Sequence, residues 1–257
     1  MQNAILITGQ GATTASIAPY MMYGGSDFAA YSATNGVIAA TTTPLTASLV
    51  GSASTDYAAA TVTLGTGGSM KTLKFSGGTA LTVTGAGTTS IGGIVSAGAT
   101  HILAGGTAYQ ALTAGDPLYF FVNANQLTVS APLQSNGTTP NALVLGGAGT
   151  LSLTGTNTFT GNVVLNSGIL SYTGNTAATL GNAANAFVVN GSSTLTALTT
   201  GGTTARGITL NNGAILSFAN GAIAQTYSGN VTGTGGILVN NTSGTATTFS
   251  GTNTFTG

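Results

Sequence analysis

Charge is what this sequence most lacks. Only 2% of its 257 residues are Asp, Glu, Lys or Arg, against about 25% in an ordinary soluble domain. The whole inventory is Asp27, Asp56, Asp116, Lys71, Lys74 and Arg206, with His101 the single histidine and no glutamate at all. Nucleic-acid affinity rests on clustered Lys and Arg, and this scarcity of cations excludes that class of partner. Cysteine is absent too, which rules out a disulfide framework or a thiolate metal site. No stretch approaches the roughly 18 apolar residues of a membrane-spanning helix. Met1-Gln2-Asn3 lacks the basic start and long apolar run of a signal peptide; an exported protein would carry its signal outside this segment or have lost it.

Scarcity of charge does not imply disorder, which needs low hydrophobicity together with high net charge. Here 42% of the residues are apolar and the formal net charge is zero. Glycine (41 copies), Thr, Ala, Ser and Asn make up most of the rest. Such a polypeptide must satisfy its backbone by long regular pairing, under a coat of hydroxyls and amides. A soluble domain usually keeps its net charge away from zero to resist association. Nothing here opposes close approach of like copies, so self-association, end to end or lateral, is the expected partnership.

The sequence also repeats itself. Thr154-Gly155-Thr156-Asn157-Thr158-Phe159-Thr160-Gly161 returns as Ser250-Gly251-Thr252-Asn253-Thr254-Phe255-Thr256-Gly257, the same at every position but the first. Self-similarity of this kind marks stacked-repeat architectures. A copy that coincides with the last residue points to a span of something longer, or to a surface continued by another subunit.

Strand-like alternation dominates the local pattern. Leu81 to Thr84, Leu127 to Val129, Leu143 to Leu145, Leu151 to Leu153, Phe187 to Val189 and Ile208 to Leu210 place apolar residues two apart, as in strands with one buried face. Gly92-Gly93, Asn136-Gly137, Asn190-Gly191 and Asn212-Gly213 close such runs with residues suited to tight turns. The one helix candidate is Ser26 to Ala33. The class is therefore all-β. Sandwiches and barrels also yield short strands. The shortness of the runs, the Gly- and Asn-rich turns and the Thr, Ser and Asn alternates, able to stack in like-on-like ladders, favour a parallel β-solenoid. Residues 1–60 stand apart as an irregular cap, extension or insertion, with Tyr20, Met21, Met22, Tyr23, Phe28 and Tyr31 clustered there; the solenoid is expected over 61–257. Residues 100–126, with Tyr109, Pro117, Tyr119, Phe120 and Phe121, are expected to form one long excursion between coils.

The stretch Gly147-Ala148-Gly149-Thr150-Leu151-Ser152-Leu153-Thr154-Gly155-Thr156-Asn157-Thr158-Phe159-Thr160-Gly161, continued by Asn162 to Leu170, resembles the autotransporter-associated (passenger-associated) β-strand repeat. The clearest copies fall at 147–170 and 245–257, with Tyr227 to Asn241 resembling the segment that precedes a copy. The early region is similar to the non-repetitive part of such proteins at Gly24, Ser26 to Tyr31 and Thr34 to Val37. The resemblance implies a right-handed parallel β-helix, with irregular loops in the N-terminal half, exported from a Gram-negative-type bacterium and displayed or shed at its surface. Two features depart from the family: charge is lower, and the sequence holds no translocating barrel.

Candidate chemistry is sparse. Glycoside cleavage wants two carboxyl groups across the scissile bond; Asp27, Asp56 and Asp116 are unpaired in sequence and lie outside the repeats. His101 alone cannot form a metal site, which needs several ligands, and reads as a loop residue. Lys71 and Lys74 sit three apart on one strand-like run, on opposite faces, one of them placed to meet an Asp as a structural pair. An isopeptide crosslink would need a neighbouring acid. Arg206 precedes a strand, where the family places a charged or polar residue. The Asn-x-Ser/Thr sequons at Asn136, Asn190, Asn230, Asn240 and Asn241 arise readily in this composition. Alternating Thr156, Thr158 and Thr160 suit an ice-binding face, but no comparable row recurs on each coil.

The expectation is a non-enzymatic structural protein of the cell surface or extracellular space, without cofactor or metal. Leu151, Leu153, Phe159, Val163, Leu165, Phe249 and Phe255 are expected in the repeat core. The alternative is an adhesin that binds a surface glycan or protein through Tyr109, Tyr119, Phe120 and Phe121. A third reading, a polysaccharide-active enzyme, would rest on Asp56 or Asp116.

Overall fold

A computed structural model describes residues 21–32, 35–45, 54–59, 61–64, 67–75, 82–85, 87–173, 179–199, 201–241 and 244–257. These residues contain no helix. Short parallel strands stack into a β-solenoid of about eight turns. From residue 187 on, each turn runs through three sides: a strand of a 12-stranded sheet, a strand of a 9-stranded sheet, then a strand of a short third sheet. One such turn is Ile208–Leu210, Ile215–Phe218 and Gln225–Tyr227.

Period-2 alternation becomes an interior because every strand lands in register on the one below. Leu143, Val163, Phe187, Ile208 and Val231 form one column, and Leu127, Leu151, Leu170, Leu195 and Phe218 another. All ten are at most 2% exposed. Each buried Leu or Phe contributes roughly 1.5–3 kcal/mol of transfer free energy. Leu151, Leu153, Phe159, Val163 and Leu165 are all buried; Phe249 and Phe255, on the outermost turn, are partly buried and packed against the same core.

The duplicated motif is explained by how closely turns approach. A Cβ on Gly155 would lie 2.7 Å from the carbonyl oxygen of Ala131, and one on Gly251 2.4 Å from that of Gly229. Any substituent there would push adjacent turns apart. The motif asparagine joins turns. The backbone N–H of Leu133 donates to Asn157 Oδ1 at 2.8 Å, and the N–H of Val231 donates to Asn253 Oδ1 at 3.1 Å. On the outside, Asn211 Nδ2 donates to Asn190 Oδ1 at 2.5 Å and Asn190 Nδ2 to Asn166 Oδ1 at 2.9 Å, a ladder of amides one turn apart.

Two expectations about the N-terminal half are corrected. The helix expected from Ser26 to Ala33 is absent over the described part: Asp27–Ser32 is the central strand of an antiparallel sheet, between Met22–Tyr23 and Gly36–Ala39. Tertiary packing overrides local propensity there, because Phe28, Ala30 and Ala40 pack on Val95, with Met22, Ile38 and Phe121 against them. Val95 neighbours the interior residue Ile94 in sequence, so this small sheet lies on the solenoid's outer face. Residues 100–126 are likewise not one excursion. His101–Gly105, Ala108–Ala111 and Leu118–Val122 are regular members of the parallel ladders, and only residues 112–117 loop out. Parallel pairing also begins at Thr43–Pro44 against Asp56–Ala58, ahead of the boundary at 61 drawn from the sequence. Tyr20, Ala33, Thr34 and Leu81 lie outside the described residues.

Candidate functional site

The four aromatic residues expected to form an interaction surface do not share a face. Tyr109 and Phe120 are 0% exposed and belong to the solenoid core. Burial pushes the Tyr109 hydroxyl up to about 12, and it donates to the carbonyl oxygen of Ala104 at 3.4 Å. Phe121 points outward but lies under the N-terminal sheet, with its ring over Gly146. Tyr119 faces the outside at intermediate exposure, as does the partly covered Phe121. Strand alternation separates them: adjacent residues of a strand face opposite ways, so Phe120 must enter the core when Tyr119 and Phe121 face out.

The ionisable groups are similarly dispersed. Lys74 Nζ pairs with Asp27 Oδ1, which ties the small N-terminal sheet to strand Ser69–Phe75. Asp56 is buried, and its carboxylate accepts a hydrogen bond from Thr72 Oγ1 at 2.5 Å. Asp116 is exposed on the 112–117 loop. Two strands of the 12-stranded sheet, Ser69–Phe75 and Thr88–Ser96, intervene between Asp56 and that loop. His101 is not a loop residue: it opens strand His101–Gly105, is 0% exposed, and its ring lies 5.3 Å from that of Phe75. Among the described residues, no three His, Asp or Glu side chains gather as a metal site would require.

Arg206 occupies a place that its position in the sequence did not reveal. It is 3% exposed, and its guanidinium donates to the carbonyl oxygens of Gly181 at 2.8 Å, Asn182 at 2.6 Å and Asn185 at 3.1 Å. These are dipoles, not a counter-ion. Burial pulls its pKa down to about 10, partly offset by Tyr172. Tyr172 and Tyr227 meet hydroxyl to hydroxyl at 2.9 Å inside the solenoid, and burial raises both pKa values. Ala197, which follows Tyr172 in its interior column, is small enough to leave room for that ring. The arrangement fixes the loop after Thr179 to the next turn; it offers no reactive group to solvent.

Outside, an open groove of about 450 Å³ runs across several turns, lined by Ser167, Ile169, Ser192, Thr194 and Ser217 among others. It carries hydroxyls and no charge. Beside it Ile215 is 45% exposed and, on the neighbouring strand, Leu238 is 52% exposed. Beyond Asp116 the only charged residue in the sequence is Arg206, and Arg206 is buried. The outer surface of the later turns is therefore uncharged.

No family model, curated protein or solved structure matches this chain, so the resemblance to the autotransporter-associated repeat rests on the repeat residues themselves.

Proposed function

We propose that this protein is a structural, non-enzymatic β-solenoid segment of a bacterial surface fibre or passenger, located outside the cell and self-associating. The observation that carries this reading is the uncharged exterior of the turns after Asp116. Repulsion between like charges is the usual barrier to association of identical surfaces, and here it is missing. Exposed Ile215 and Leu238 supply apolar area for contact. The outermost turn adds strand edges of the kind that template further pairing, whether the next turn comes from the same polypeptide or from another copy.

An adhesin acting through Tyr109, Tyr119, Phe120 and Phe121 as one surface draws little support, since two of the four rings line the interior and a third is partly covered by the N-terminal sheet. Electron microscopy of concentrated, purified protein tests the proposal. Filaments or bundles with strands spaced about 4.8 Å along the axis support it. Discrete monomers at high concentration contradict it.

A further inference from the structure

Asparagine followed by glycine is chemically labile, because the glycine nitrogen has no neighbouring substituent to hinder its attack on the asparagine amide. Four such pairs lie on the solenoid, at Asn136-Gly137, Asn190-Gly191, Asn212-Gly213 and Asn220-Gly221. The fold treats them differently. Asn136 Nδ2 donates to the carbonyl oxygens of Ala111 at 3.0 Å and Leu112 at 3.2 Å. Asn190 is held in the amide ladder between Asn166 and Asn211, and a Cβ on Gly191 would meet the Asn166 carbonyl oxygen at 2.1 Å. Asn220 is 2% exposed, and its Oδ1 accepts from the N–H of Ala197 at 3.0 Å. Among the four, Asn212 alone is both exposed and without a side-chain hydrogen bond to the described residues. Gly213, with φ +72 and nothing within 4 Å of a Cβ, matches Gly137 and Gly221, so what sets this pair apart is the unheld amide. The pair occupies the turn in which Ala214 N–H donates to the Asn211 carbonyl oxygen at 3.0 Å.

We infer that Asn212 is a self-modification site at which the folded protein converts an amide into a carboxylate. The backbone nitrogen of Gly213 attacks Asn212 Cγ. A bond forms between that nitrogen and Cγ, the bond from Cγ to Nδ2 breaks, and Nδ2 departs as ammonia with the proton lost from Gly213. The resulting five-membered imide is opened by water at either carbonyl, giving an aspartyl or an isoaspartyl linkage. No oxidant or enzyme is needed. The product is a negative charge on a surface that otherwise has none, next to the end of the Asn166–Asn190–Asn211 ladder. The isoaspartyl form also lengthens the backbone by one methylene inside a tight turn.

The test is to incubate the intact folded protein at mildly alkaline pH and follow each of the four solenoid sites by peptide mass spectrometry, with a parallel sample in urea. In the folded protein Asn212 is expected to convert at least ~tenfold faster than Asn136, Asn190 or Asn220, a factor equivalent to about 1.4 kcal/mol of barrier. In urea the four rates converge. Asn212→Ser removes the early acidic product of the solenoid peptides from the folded sample and leaves the fold's circular dichroism unchanged; the fifth pair, Asn35-Gly36 on the N-terminal sheet, is read as a separate peptide. Equal rates at the four sites in the folded protein, or a ranking that persists in urea, overturns the inference. This outcome is independent of whether the protein self-associates.

Discussion

Asn157 and Leu133 sit one turn apart, and the backbone N–H of Leu133 ends on the side-chain oxygen of Asn157 at 2.8 Å. The same amide gives its hydrogen to the carbonyl oxygen of Thr179 at 2.6 Å on the other side. One residue thus bridges three turns, at 3% exposure. Asn157→Ala would remove two hydrogen bonds from a buried position, at about 1–3 kcal/mol each, so a loss of about 2–6 kcal/mol is expected. Among the described residues Asn253 holds only Val231, and it is exposed; Asn253→Ala should cost ~1 kcal/mol or less. Urea unfolding of the two variants makes the comparison, and equal losses would contradict the bridging role.

Gln225 is the opposite case. It is 1% exposed, and neither its side-chain nitrogen nor its oxygen has a hydrogen-bond partner among the described residues. A buried polar group without partners opposes folding. Gln225→Met, close in shape and apolar, is expected to raise stability by about 1 kcal/mol and to raise Tm in a thermal scan. A lower Tm would show that the amide is satisfied in solution.

Stability should fall at high pH. An unfolded tyrosine titrates near 10, whereas burial pushes Tyr109 up to about 12. Between those values the unfolded state has released a proton that the folded state retains, so stability decreases as pH rises through the window, by up to ~2–3 kcal/mol for this residue. The raised pKa values of Tyr172 and Tyr227 act in the same direction; the lowered value of Arg206 acts in the opposite one. Denaturation midpoints from pH 9 upward, compared with Tyr109→Phe, isolate the Tyr109 share. An unchanged slope in the variant would contradict it.

The N-terminal antiparallel sheet should loosen independently of the turns beneath it. Its tie to the solenoid joins Asp27 to Lys74 beside the Val95 and Phe121 contact. A partly exposed ion pair contributes about 1 kcal/mol at most, a factor of ~5 in the open population. Asp27→Asn is therefore expected to raise amide hydrogen exchange in Asp27–Ser32 and Gly36–Ala39 several-fold, with Leu143–Gly146 and Thr150–Leu153 unaffected. A uniform rise across all four strands would mean that the sheet and the turns open together.

The solenoid is legible in the sequence where one face of each strand is clearly apolar and the other polar. Leu127-Thr128-Val129 and Ile208-Thr209-Leu210 say which way each residue faces, and the structure buries the residues that they mark. The reading failed where outward positions are apolar as well. Ile102, Tyr119 and Phe121 face out beside the inward Leu103 and Phe120, so alternation disappears and a regular turn looks like an aromatic loop. The run Asp27–Ser32 failed because Phe28 and Ala30 are buried against Val95 and Phe121, residues that come only after residue 90. Arg206 was opaque for a similar reason: its partners are backbone carbonyls of the previous turn, 21 to 25 residues away. The motif asparagines were the available signal, since Asn157 and Asn253 recur at one position and there perform the same task.

Sedimentation velocity over a wide concentration range, at low and at high salt, tests the central claim most directly. An uncharged exterior has no repulsion for ions to screen, so larger species should grow with concentration and stay the same when salt is added. A lone monomer at every concentration, or an assembly that salt disperses, would contradict the account.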